Sequence, residues 1–359
     1  MSLLNMIMLS GGIFLSGTAI KAGELFVPAN DSRLEYSDYA VLEFPADELA
    51  KERRIARMHR PLSSPGKGYQ WDNPGARLRF NTDAAEITVH LRYSDKHISN
   101  SARVSGGIFL IDGKSSKDWK FQTRQTKVKR EVEQLDLKLP VITDGVVHCY
   151  EIIMPYGDSV DIAGITVNAG ANFSPPPPRP AFRCICYGDS ITQGFTAQDI
   201  SGTYAFRIGQ LKNWQIINMA IAGRASNPTD GLAAGKISCD MLTVMIGVND
   251  WQGGRDPEIY RKNITGFIAN FRSLQPRTPI RIITPLWVPE SWKPAKASIP
   301  LETYRQVLRE VVNQLNDPQI KLIEGSPLID HDPRYFDRVA VHPADSGFEM
   351  MAQRLAPQL

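Results

Sequence analysis

The sequence predicts an α/β protein in two parts: an all-β sandwich of jelly-roll type, then a three-layer domain built on a parallel sheet with helices on both faces. Three observations predict it. A proline run, Ser174-Pro175-Pro176-Pro177-Pro178-Arg179-Pro180, divides the chain, short alternating or β-branched runs precede it, and strands alternate with helices after it. At 359 residues the chain is also longer than a single hydrophobic core usually organises, so two domains are expected.

The first element is apolar. From Leu3 to Ala19 the residues are mostly apolar or small, with no charged side chain before Lys21. Gly11, Gly12 and Gly17 interrupt the run, which is too short for a membrane span of about 20 residues. It reads as an export signal over residues 1–22, although it lacks the basic residue that normally precedes the apolar core. A secreted or periplasmic protein is implied. No later segment is long and apolar enough to cross a bilayer.

Residues 25–173 carry the β pattern. Short runs at 76–80, 86–91, 107–111 and 147–153 are separated by turn signals such as Asp112-Gly113 and Asp144-Gly145, as in a sandwich or jelly roll. A basic stretch runs from Lys114 through Lys117, Lys120, Arg124, Lys127 and Lys129 to Arg130, with Trp119 and Phe121 inside it. No nucleic-acid motif accompanies it, and a formal net charge of +3 gives no reason to expect that partner. A solvated face is the simpler reading.

Residues 174–180 form the linker, because consecutive prolines hold the chain extended and exclude helix interior and central strand. They read as a semi-rigid spacer. In residues 181–359, strands are expected at 182–187, 215–221, 241–246, 280–284 and 321–323. Helices are expected at 204–211, 258–274, 301–315 and near 347–355; the apolar residues Ile259, Ile264, Phe267, Ile268 and Phe271 recur at helical spacing in one of them. Such alternation gives a parallel sheet whose reactive groups gather at the carboxyl ends of its strands. The four cysteines, Cys149, Cys184, Cys186 and Cys239, show neither CxxC nor Cys/His spacing and read as buried free thiols.

The chemistry starts at Gly188-Asp189-Ser190-Ile191-Thr192-Gln193-Gly194, just after the first of these strands. A serine there sits on a sharp turn, among the backbone N–H groups that open the next helix. Alone, a Gly-Asp-Ser triplet is a common turn. Three further blocks follow in order: Asn218-Met219-Ala220-Ile221-Ala222-Gly223-Arg224, Gly247-Val248-Asn249-Asp250, and His342-Pro343 near the C-terminus. Together they resemble the sequence blocks of the SGNH (GDSL-type) hydrolases over about residues 181–359.

That resemblance implies that Ser190 attacks an ester carbonyl and that His342 takes and returns its proton. It implies an oxyanion hole made by the Ser190 N–H, the Gly223 N–H and the Asn249 side-chain amide, with no cofactor and no metal. Asp189 and Asp250 read as loop-bracing carboxylates. Members of the superfamily usually carry an aspartate three residues before the histidine; here that position is Val339, which cannot accept the imidazole N–H. Asp337 reaching the histidine from another register, a backbone carbonyl in its place, or a decayed enzyme all remain open.

The first half narrows the match. Tyr69-Gln70-Trp71, Pro74-Gly75-Ala76-Arg77-Leu78-Arg79-Phe80 and Ile111-Asp112-Gly113-Lys114 resemble the β-sandwich of carbohydrate esterase family two, whose members deacetylate plant polysaccharides, some with a Ser–His dyad. The resemblance implies removal of O-acetyl groups from carbohydrate through an acetyl-serine intermediate. Trp251 and Trp287, placed where cleft loops should lie, are candidate sugar-stacking residues; an aromatic packed at a loop base is the other reading of each. A short-chain carboxylesterase or lysophospholipase is the alternative enzyme. A glycan-binding protein with a degenerate hydrolase domain is the alternative outside enzymes. His90, His97 and His331 show no metal-ligand spacing, and no phosphate loop or dinucleotide fingerprint appears.

Overall fold

The computed structural model describes residues 22–48, 50, 52–62, 69–93, 106–123, 134–157, 159–337 and 341–359. The expected export signal up to residue 21, His97, Val339 and the part of the basic stretch from Arg124 to Arg130 fall outside them. The first part of the chain is a sandwich of two antiparallel sheets. One has the order Glu24–Pro28, Asp161–Asn168, Ile87–Arg92, Gln134–Lys138. The other has the order Phe173–Ser174, Arg77–Thr82, His148–Ile153, Gly106–Ile111, Lys120–Gln122, with Glu35–Ser37 also paired to Arg77–Thr82.

Strands of the second sheet serve two cores at once, because successive side chains point to opposite faces. Phe109, Ile111, Tyr150 and Ile152 enter the sandwich interior. Ile108, Leu110 and Ile153 point the other way and pack into the core of the second domain. Gly106–Ile111 is therefore buried at every position. Arg77 and Arg79 share that outer face, where Arg77 meets Glu151 at 2.8 Å and Asp38 at 3.1 Å and Arg79 meets Glu35 at 2.8 Å. Buried charges are tolerable only when paired in this way.

The second domain is a five-stranded parallel sheet, ordered Gln215–Asn218, Arg183–Gly188, Met241–Met245, Ile280–Ile283, Ile320–Ile323. Its helices are Tyr204–Lys212, Asp230–Gly235, Pro257–Leu274, Leu301–Leu315 and Asp345–Leu355, besides short turns at strand ends. Asp256 caps Pro257–Leu274 by accepting the Glu258 N–H at 2.7 Å, and Pro257 occupies the first turn, where its missing N–H costs nothing. The stripe facing the core is Tyr260, Ile264, Phe267, Ile268 and Phe271. Ile259, expected inside, is 51% exposed, because Tyr260 holds the i, i+4 position relative to Ile264.

The proline run is extended, as its composition dictates, yet it is a strap and not a spacer. Ser174 pairs with Asn81, the Pro177 carbonyl accepts from Arg79 at 3.0 Å, and Arg179 donates to the Trp214 carbonyl at 3.1 Å. Asp38 completes the junction by accepting the N–H of Ile216, on the edge strand of the parallel sheet, at 2.7 Å. In the basic stretch, Lys120 contacts Asp199 of the second domain at 2.6 Å and Phe121 is buried. All four cysteines are free, as expected, but only Cys184 and Cys186, on an inner strand, are buried; Cys149 and Cys239, near strand ends, are partly exposed. No helix among the described residues is long and apolar enough to cross a membrane.

Candidate active site

Ser190 is the first residue of a one-turn helix, Ser190–Gln193, that starts as the strand Arg183–Gly188 ends. The Asp189 carboxylate caps this turn through the Ile191 N–H at 2.9 Å, and Gly194 closes it at φ +106°, a left-handed conformation that suits glycine. Complete burial pushes the Asp189 carboxyl up to about 7, helped by the negative charge of nearby Asp250. Asp250 accepts the N–H and hydroxyl of Ser226 at 2.8 and 2.6 Å and meets Arg255 at 2.8 Å. Both carboxylates brace loops.

His342 Nε2 lies 2.8 Å from Ser190 Oγ, across 152 positions of sequence. That is the reach a general base needs. The histidine sits on a tight turn-back: Phe336 bridges Pro343, and the Asp337 N–H donates to the His342 carbonyl at 2.8 Å. This register brings Asp337 Oδ2 to 3.8 Å from His342 Nδ1, too long for a hydrogen bond. Nδ1 has no hydrogen-bond partner among the described residues. Asp337 thus approaches from five residues upstream, and the position of Val339 lies outside the described residues. Thr196 Oγ1 donates to the Pro343 carbonyl at 2.7 Å, with Thr196 itself held at φ +82°. A β-branched residue rarely adopts that conformation, so the contact and the packing around it hold the loop in place.

Of the two remaining loops, that of Gly223 bonds to the serine turn through the Ala222 N–H, and that of Asn249 bonds to the Gly223 loop. Gly223 has φ +76°, and a Cβ there would meet nothing within 4 Å, so the backbone is open on that side. Neither the Ser190 nor the Gly223 N–H meets an acceptor among the described residues. Asn249, the second residue of the short helix Val248–Gln252, donates from its side-chain amide to the Arg224 carbonyl at 3.0 Å, one residue past Gly223. Arg224 is anchored in turn on Asp230, which also accepts the Tyr187 hydroxyl at 2.7 Å. Spare N–H groups beside a nucleophile–base pair are the elements of an acyl-transfer site.

Residues 186–350 match the model of the GDSL-like lipase/acylhydrolase family. Nearly the whole second domain is thus similar to the GDSL-like hydrolases. Solved structures resemble nearly the whole chain. The salicylyl-acyltransferase SsfX3 from a tetracycline biosynthetic pathway has a TM-score of 0.76 at 18% identity, over 93% of this chain and 96% of that one. A GDSL-like lipase from Bacteroides ovatus has 0.73 at 18% identity over the same shares. A family two carbohydrate esterase from Cellvibrio japonicus has 0.67 at 16% identity, again over 93% and 96%. At these identities the likeness is one of fold, and it spans both domains. No curated protein matches the sequence.

In the GDSL-like domain the two tryptophans part company. Trp251 is 7% exposed, donates its indole N–H to the Ile299 carbonyl at 2.8 Å and packs edge-on against Trp292. Of the two readings left open for it, this burial favours the aromatic packed at a loop base. Trp287 is half-buried, stacks on His331 at 5.0 Å and abuts Phe336, the residue before Asp337. The sequence reading passed over Gln193. It lies inside the GDSITQG block and is fully buried, yet its partners are 29 and more residues away along the chain. Among the described residues, no group of three or more His, Cys, Asp or Glu side chains could hold a metal ion.

Proposed function

We propose that the protein is a serine esterase that removes O-acetyl groups from carbohydrate through an acetyl-serine intermediate. The observation that carries the reading is the 2.8 Å contact between Ser190 Oγ and His342 Nε2. An unassisted hydroxyl is a poor nucleophile at neutral pH. With His342 Nε2 accepting its proton, Ser190 Oγ attacks the acetyl carbonyl carbon, and the carbonyl electrons move onto oxygen. The Ser190 and Gly223 N–H groups and the Asn249 amide hold that oxyanion. Collapse re-forms the carbonyl and expels the sugar oxygen, which takes the proton from the imidazolium. Water repeats the cycle on the acetyl-serine and releases acetate.

Carbohydrate as the substrate class is supported by the family two carbohydrate esterases among the structural neighbours, whose likeness includes the β-sandwich. The apolar N-terminal segment supports action outside the cytoplasm. The test is acetate release from 4-nitrophenyl acetate and from acetylated xylan, comparing the wild type with Ser190→Ala. Loss of roughly a hundred-fold or more is expected on both. Equal rates for the two proteins would overturn the esterase reading. Activity confined to longer acyl chains would overturn acetate, and transfer to an added alcohol in preference to water would favour an acyltransferase.

A further inference from the structure

We infer that the β-sandwich sets the position of the Gly223 oxyanion loop, through a buried relay in which Asp72 and Arg60 of the first domain act as positioning residues. The inference rests on the esterase reading above.

Gln193 ends the one-turn helix that begins with Ser190, and it is wholly buried. Its side-chain amide bonds in two directions and uses both of its N–H donors. Nε2 donates to Asp72 Oδ2 at 3.0 Å and to the Tyr156 carbonyl at 2.8 Å, both in the first domain. Oε1 accepts the N–H of Ala222 at 2.8 Å, the residue before Gly223. This arrangement fixes which way the amide faces, since a flipped group would set its oxygen against a carboxylate and a carbonyl.

The loop is gripped a second time. Arg60 Nη1 donates to the carbonyl of Ala220, and Arg60 Nη2 lies 4.0 Å from Asp72. Asp72 also accepts the Ser159 hydroxyl at 3.0 Å. Thus a carbonyl and an N–H two residues apart, just before Gly223, are both held from the sandwich side. Asp72 is 0% exposed and Arg60 only 3%. A buried ion-bearing network of this kind is costly to desolvate and is a weak source of stability. Its product is geometry. An oxyanion donor stabilises the transition state only from the correct place, and a misplacement of about 1 Å can cost roughly a hundred-fold.

The experiment uses the full chain with Asp72→Asn, Gln193→Met and Ser159→Ala. The last removes only the hydroxyl that orients Asp72, and serves if the first does not fold. Active sites are counted by phosphonate labelling of Ser190 and mass spectrometry, so that partial unfolding does not count as slow turnover. The expected result on 4-nitrophenyl acetate is kcat per labelled site lowered roughly ten- to a hundred-fold for Asp72→Asn and Gln193→Met, with a smaller loss for Ser159→Ala. KM should stay within about threefold, because the interaction is made in the transition state. Affinity for a boronic acid that adds to Ser190 should fall in parallel. A merely structural role would lower thermal stability and the labelled fraction while leaving kcat per labelled site within twofold; that result overturns the inference. If Ser190→Ala turns over as fast as the wild type, the esterase reading has failed and the inference fails with it, recognisably for a different reason.

Discussion

Two histidines of this chain show what a partner does to an imidazole. His148, on the sandwich, has both ring nitrogens on carboxylates: Nδ1 at 2.6 Å from Asp112 and Nε2 at 3.0 Å from Asp144. His342 has a hydroxyl at 2.8 Å on one side and no hydrogen bond among the described residues on the other. The Asp112 contact first, then Asp144, raises the pKa of His148, so that this ring is favoured as a fixed cation. A base must instead accept a proton during the reaction and give it back. On the proposed esterase reading, the ring with fewer bonds is the one free to do this, and the fully satisfied one is a clasp.

The largest expected effect breaks the pair apart. His342→Ala should lower kcat/KM by ~10³-fold or more, whereas His148→Ala should leave it within twofold; kinetics on 4-nitrophenyl acetate decide. Carboxylates repeat the contrast. Asp144, held chiefly by the Val146 N–H and then by His148, lies below its ordinary range, whereas burial lifts Asp189 to about 7. A carboxyl raised on folding contributes its full stability below its unfolded value near 3.8, and that contribution is lost as pH rises through about 7. The displacement is worth at most ~4 kcal/mol. Asp189→Asn keeps a capping side chain, so its melting temperature should exceed the wild type's by several degrees at pH 8. The gap should close towards pH 4.

Smaller effects sharpen the comparison. A carboxylate properly bonded to a catalytic imidazole can be worth ~10⁴ in turnover. At 3.8 Å Asp337 should contribute far less, and Asp337→Asn should cost about three- to tenfold in kcat/KM across the pH profile. A loss of a thousand-fold would mean that the contact tightens when substrate binds. Smallest is His148→Gln. Because its pKa is raised in the folded state, His148 stabilises the protein below about 6.5, and that contribution disappears as pH rises through the folded value. The variant should therefore melt slightly below the wild type at pH 6 and together with it at pH 9.

The second domain was readable because its inner strands, Arg183–Gly188 and Met241–Met245, are buried almost throughout and appear as largely apolar runs. Leu301–Leu315 falls where it was expected, and the other expected helices differ by a residue or two at their ends. The short helix Asp230–Gly235 went unread, since Asp-Gly-Leu-Ala-Ala-Gly has too few apolar positions to show a period. In the sandwich, Glu24–Pro28 and Gln134–Lys138 are edge strands with mixed exposure. Asp161–Asn168 is interrupted by a bulge at Gly164. Ser190 and His342 stand out as blocks, and the structure sets them in contact. The Asp72–Gln193–Ala222 relay does not stand out, because it joins residues 121 and 29 positions apart whose types are ordinary.

The Asp38 contact on Ile216 has a consequence for assembly. A parallel sheet has two rims, and each is a template on which another chain's strand could add. Here the sandwich closes one rim with a carboxylate on its backbone N–H. The other, Ile320–Ile323, is paired on one side only and carries the exposed Lys321, a charge that discourages strand addition. The jelly roll is in this sense the sheet's end-piece, and detaching it would leave a hydrolase domain with a newly bare, adhesive border.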